Sequence, residues 1–163
     1  MWGLENNCSQ WQSVVDFLHG KGYTVVQTGL IREPAIPNVD YDLRGKSRRL
    51  MDYFQLVAQA ELLVTIDSLP LHLGACRFYE DGKLVRDGIP TVAICGPTGR
   101  PGVISPDVDW IVEVCDLPDR PRCRCWESTP FGGFKCPYGN ECMKRITVEM
   151  VCDGIGRAES YRQ

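Results

Sequence analysis

The chain has 163 residues, long enough to bury roughly 70% of its unfolded surface around one core without staples. A net charge of −3 argues against the basic surface of a nucleic-acid binder, so no nucleic-acid partner is expected. No run approaches the roughly 20 apolar residues of a membrane span. The opening MWGLENNCSQWQ has neither a basic start nor an apolar stretch, so no secretory signal is read there. A cytoplasmic chain without a transmembrane segment is expected, the inner face of the membrane included as a working place.

Ser9 to Lys21 reads as a helix: Trp11, Val14, Val15 and Leu18 fall on one face at i, i+3, i+4 and i+7. Ser9 and Gln12 have capping-box spacing, and Gly20 and Gly22 supply the stop. YTVVQT (23–28) follows as a strand. Positions 29–46, with Pro34, Pro37 and the DLRG turn, read as a loop. Ser47 is placed to cap a helix running to about Ala60, with Leu50, Phe54, Val57 and Ala58 inward. ELLVTI (61–66), IPTVAIC (89–95) and WIVEV (110–114) are further strands. A helix over 70–79 is expected with Pro70 first, where its missing N–H costs nothing. The last helix, about 147–156, starts at Thr147, with Glu149 near the positive end of its dipole.

The strands are short continuous apolar runs, and helices separate the earlier ones. Both features favour an α/β fold with a parallel sheet covered on two faces, in one domain over 1–163. Gly29, then Asp67 and Ser68, then Gly96, Pro97 and Thr98 fall at carboxyl ends of strands, the edge where ligands bind in open α/β sheets. IDSLP also leads into a helix start, where amides and dipole favour an anion. A phosphate-bearing ligand follows from position. The same residues have plainer readings. Ser68 and Asp67 serve as helix caps, His72 as a structural histidine, and GPTGRPG as a turn. Lys46, Arg48 and Arg49 read as a solvated helix start. Neither GxxxxGK[ST] nor GxGxxG occurs.

LRGKSRRLMDYFQLVAQAELLVTIDSLPLHLGAC, followed by IPTVAICGPTGRPGVISP, resembles the C-terminal half of glycosyltransferase family nine, the lipopolysaccharide heptosyltransferase-like proteins. WGLENNCSQWQSVVDFLHGKGYTVVQTG is similar to that family's entry into its first helix and the next strand. CPYGNECMKRITVEMV resembles its closing segment. The motifs run in order over nearly the whole chain. The resemblance implies a Rossmann-like half of a GT-B fold that binds a nucleotide-diphosphate sugar, an ADP-heptose-like donor, for transfer to a glycan or lipopolysaccharide-type acceptor. Asp67, Ser68, Leu69 and Pro70 would approach the diphosphate and sugar, with His72 behind them. Gly96, Pro97 and Thr98 would form the neighbouring edge. Gly29 would lie near the nucleoside, and Glu33 is a candidate for a ribose hydroxyl. Leu69 stands where the family has glycine, the residue that permits close backbone approach to phosphate. The family's N-terminal half, with its acceptor site and catalytic carboxylate, has no counterpart in these residues. The resemblance therefore names no catalytic residue, and a separate N-terminal acceptor-binding half or a homo-oligomer is the implied partner. No cofactor is required for the chemistry.

Nine cysteines are many for this length. Cys76 and Cys95 sit in apolar context and read as small core residues. Cys115, Cys123, Cys125, Cys136 and Cys142 cluster in a Cys-rich segment, 115–142. Four thiolates close a tetrahedral metal site. Cys123, Cys125, Cys136 and Cys142 are the expected ligands for a structural zinc or iron, with Cys115 as the alternate. The interleaved Arg120, Arg122 and Arg124 favour thiolate. The competing reading is thiols packing a loop, and the whole chain then serves as a metal-stabilised or nucleotide-binding interaction module without catalysis.

Overall fold

The computed structural model describes residues 8–47, 49–95, 108–114 and 141–161. Helix α1 spans Cys8–Gly20. Val14, Val15 and Leu18 are its buried positions, so the periodicity read from sequence selects the inward face. The helix closes on Gly22 at φ 84°: Tyr23 N donates to Leu18 O at 3.1 Å and Gly22 N to His19 O at 2.9 Å. These two bonds satisfy carbonyls that the helix end leaves open, and only a residue tolerant of positive φ makes the turn cheaply.

The expected strand 23–28 contracts to β1, Val26–Gln27. It pairs in parallel with β2, Tyr41–Asp42, inside the stretch read as loop. Helix α2, Leu50–Ala58, begins at Arg49, and Ser47 lies ahead of the cap. Asp52 fixes that start by accepting from Arg49 N at 3.3 Å while pairing with its guanidinium at 2.6 Å. Strand β3 is Leu63–Ile66. Helix α3, Leu69–Gly74, follows with Pro70 in its first turn.

The helix expected over 70–79 ends five residues early. After it the chain makes a hairpin, β4 (Phe78–Glu80) against β5 (Lys83–Arg86). Its turn, Asp81-Gly82, has both residues at positive φ, 49° and 76°. That is the backbone a tight hairpin needs, and Asp-Gly supplies it. Strands β6, Thr91–Ile94, and β7, Ile111–Val114, match expectation. Helix α4 is Glu141–Lys144, and α5 runs over Val148–Glu159, three residues past the expected end. Thr147 caps α5 as expected, its hydroxyl accepting from Met150 N at 3.3 Å.

The architecture is α/β. The main sheet is parallel, in the order β3-β6-β7, with Leu63 opposite Thr91 and Thr91 opposite Ile111. Strand β6 is buried at every position, as a central parallel strand should be. Val92, Ile94, Val112 and Val114 face α1 and α5, packing with Val14, Leu18, Val151 and Ile155. Ala93, Cys95 and Ile111 face the opposite way and pack with Leu71 of α3. Small residues set the layer spacing. A Cβ on Gly154 would lie 2.8 Å from Val114 Cγ2, so α5 comes closer to the sheet than any side chain there would allow. Among the described residues no helix is long and apolar enough to cross a membrane.

Candidate functional site

Strand β3 ends at Ile66, and the next residues turn into α3. Ser68 is the residue ahead of that helix, extended at φ −161° and ψ −179°. Its hydroxyl does not cap the helix. It donates back to Ile66 O at 3.3 Å and lies 3.4 Å from the Thr65 hydroxyl, which also donates to Ile66 O. The helix starts through the backbone instead, Leu71 N donating to Ser68 O at 3.0 Å. The capping reading of Ser68 therefore holds for its position and fails for its side chain.

Asp67 is exposed, Ser68 half-buried, Leu69 exposed, Pro70 half-buried and His72 exposed. The turn thus presents a carboxylate, a hydroxyl and an imidazole within one short stretch of surface. Leu69 is 44% exposed, so its side chain stands beside these groups rather than in the core. The His72 carbonyl accepts from the Cys76 thiol at 3.3 Å, which ties the far end of the helix.

A second group gathers past the end of β1. Gly29 has φ 140°, and a Cβ there would collide with the Glu33 carboxylate, which folds over it. Glycine is required at this close approach. Tyr53 of α2 bonds to Thr28, and burial, with the Glu33 charge adding to it, pushes its hydroxyl above the ordinary phenol range. Arg44 donates to the Glu33 carbonyl and pairs with Asp42 at 2.7 Å, its side chain only 11% exposed. The structure therefore joins Gly29 to Glu33 as one unit. Arg44 and Tyr53 belong to that unit and were not singled out from sequence. The DLRG turn was the signal for Arg44: the aspartate two residues before the arginine pins the guanidinium against the strand end.

The remaining expected site residues lie elsewhere. Gly96, Pro97 and Thr98, together with Cys115, Cys123, Cys125 and Cys136, fall outside the described residues. Cys142 is half-buried in α4. Among the described residues no group of three His, Cys, Asp or Glu side chains is close enough to hold a metal. An open concavity between α1 and α5, lined by Phe17, Val114, Met150 and Arg157, contains none of the expected ligand residues.

Together these features define an α/β protein with polar groups clustered where parallel strands end. No protein-family model, curated protein or solved structure matches the chain.

Proposed function

We propose that this chain is a Rossmann-like, GT-B-type donor-binding unit that holds a nucleotide-diphosphate sugar for a heptosyltransferase-like glycosyl transfer. The reading rests on one observation: Asp67 and Ser68 leave the carboxyl end of β3 and turn directly into α3, beside the buried end of β6 at Cys95. In parallel α/β sheets that edge is the ligand-binding edge. Asp67 accepts from sugar hydroxyls, and Ser68 turns its hydroxyl from Ile66 O toward a phosphate oxygen. The Gly29–Glu33 unit, braced by Arg44 and Tyr53, takes the ribose.

Isothermal calorimetry with ADP, UDP and an ADP-sugar tests the proposal. The folded chain should bind at least one of them, and Asp67→Ala should weaken that binding about tenfold, the scale of one lost charge-assisted hydrogen bond. Leu69→Gly should strengthen it by removing the side chain that crowds the turn. Absence of binding by all three ligands, or an affinity untouched by Asp67→Ala, would overturn it.

A further inference from the structure

Strand β3, Leu63–Ile66, carries one polar side chain in an apolar run, Thr65. Val64 and Ile66 turn toward the core that holds Val14 and Leu18. Successive strand residues alternate faces, so Thr65 turns the other way. There it stands in register with Ala93, which packs with Leu71 of α3. Thr65 is only 7% exposed. Valine has the same branched shape and an equal preference for strands, and it brings no hydroxyl into an apolar layer. A buried hydroxyl costs stability unless it is hydrogen-bonded.

The Thr65 hydroxyl is used one residue on. It donates to Ile66 O at 3.0 Å. Ser68 donates to the same oxygen at 3.3 Å, and the two hydroxyl oxygens lie 3.4 Å apart. Hydroxyl-to-oxygen bonds favour about 2.7–2.8 Å, so the Ser68 bond is the weaker of the two. A carbonyl oxygen has two lone pairs and takes both donors, whereas each hydroxyl has one proton to give. The two donors differ in reach. Thr65 is buried and donates inward. Ser68 is half-buried at the turn, beside the exposed Asp67. When Ser68 swings outward, Ile66 O keeps its Thr65 bond. Without the Thr65 hydroxyl, the same swing would strip that carbonyl of both side-chain donors. Losing one donor of two costs little, and losing the last leaves the carbonyl unsatisfied.

We propose that Thr65 is the positioning residue for Ser68: it holds the Ile66 carbonyl and so releases the Ser68 hydroxyl to donate to a phosphate oxygen. The phosphate oxygen rests on the nucleotide-sugar reading. The release itself is a property of the free chain.

Two measurements test the proposal. In the free chain, the Hα–Hβ couplings of Ser68 report its χ1 rotamers by NMR. They should be averaged in the unsubstituted protein. In Thr65→Val they should shift toward single-rotamer values, because Ser68 is then the side-chain donor left to Ile66 O. Thr65→Ala should act alike and Thr65→Ser should restore the averaging, so that the response follows the hydroxyl and not the packing. Couplings unmoved by Thr65→Val and Thr65→Ala would overturn the proposal, with or without a ligand. Calorimetry with ADP, UDP and an ADP-sugar then supplies a double-mutant cycle. Thr65→Val should weaken the tightest of these about tenfold, the scale of one hydrogen bond. Thr65→Ser should bind as the unsubstituted chain does. In a Ser68→Ala background, Thr65→Val should leave the affinity unchanged. An equal loss in both backgrounds would give Thr65 a purely structural role and overturn the proposal. If none of the three ligands binds while the couplings shift as stated, the nucleotide-sugar reading falls and the release of Ser68 by Thr65 stands.

Discussion

The β3-β6-β7 sheet and the β1-β2 pair are both parallel, and they are held by different physics. In the larger sheet, order comes from burial. Strand β6 is covered on both faces, and its neighbours supply Val and Ile side chains to two separate cores. In the smaller pair, Val26 and Tyr41 are exposed, and order comes from polar ties. Gln27 spans the loop with both ends of its amide, Asp40 accepts from Val25 N at 2.7 Å, and Arg44 joins Asp42 to the Glu33 carbonyl. Apolar burial is non-directional and robust to small shifts, whereas each polar tie depends on one geometry. The two regions should therefore fail under different insults, and the proposed site draws residues from both.

The largest effect is expected from Ile155→Ala. Ile155 is fully buried in α5 against β6 and β7. Its truncation should cost about 2–5 kcal/mol, the range for losing a buried branched side chain and leaving a cavity. Thermal unfolding followed by far-UV circular dichroism checks this. The transition should drop as a whole, because the sheet and α5 share one core. A drop confined to a minor early phase would mean that α5 and the sheet do not unfold together.

A smaller, local effect is expected from Gln27→Met. Gln27 is 8% exposed; its Oε1 accepts from Ile36 N at 2.8 Å and its Nε2 donates to Pro34 O at 2.9 Å. Methionine fills a similar volume and leaves both backbone groups without those bonds, which costs about 1–3 kcal/mol. Hydrogen exchange should quicken at Ile36 and across the β1-β2 pair, with β6 amides unchanged. Equal quickening at β6 would show the two regions to be one cooperative unit.

This division also explains what could be read from the sequence. ELLVTI, IPTVAIC and WIVEV announced themselves because burial on two faces demands unbroken apolar runs. The inward face of α1 was legible through its 3.6-residue period, and α5 through the capping threonine at its start. Strand β2 was not, because Tyr41-Asp42 carries no apolar pattern and is held by ties from Asp40 and Arg44 that are set by the fold. The hairpin at Phe78–Arg86 had a local signal, Asp-Gly between short alternating stretches, which the extension of α3 toward residue 79 overran. At the site, Asp67 and Ser68 were visible as polar residues interrupting a strand end, and Gly29 as a glycine directly after one. Tyr53 was hidden because only the tertiary fold brings α2 to this loop, and the DLRG turn signalled the Arg44–Asp42 pair but not its reach to the Glu33 carbonyl.

The gentlest probe of the comparison is acid. The Arg44 side-chain and backbone hydrogen bonds hold the Asp42 carboxyl well below the usual range, at about 2. Its folded-state value is depressed, so the stability it contributes is present above the ordinary aspartate range near pH 4. That contribution is lost as pH falls through about 2. An NMR titration of the Asp42 carboxyl should find its midpoint near that value. In Arg44→Gln the midpoint should rise toward the ordinary range without reaching it, because the guanidinium is gone while the residue 44 amide still donates to the carboxylate. Between pH 4 and 2 the β1-β2 amides should lose protection while those of β6 keep theirs, since β6 is held by apolar burial on both faces and carries no carboxylate of its own. An Asp42 midpoint in the ordinary range for the unmodified chain would mean that Arg44 does not hold it in solution. The brace under the Gly29–Glu33 unit would then have to come from Tyr53 and Thr28 alone.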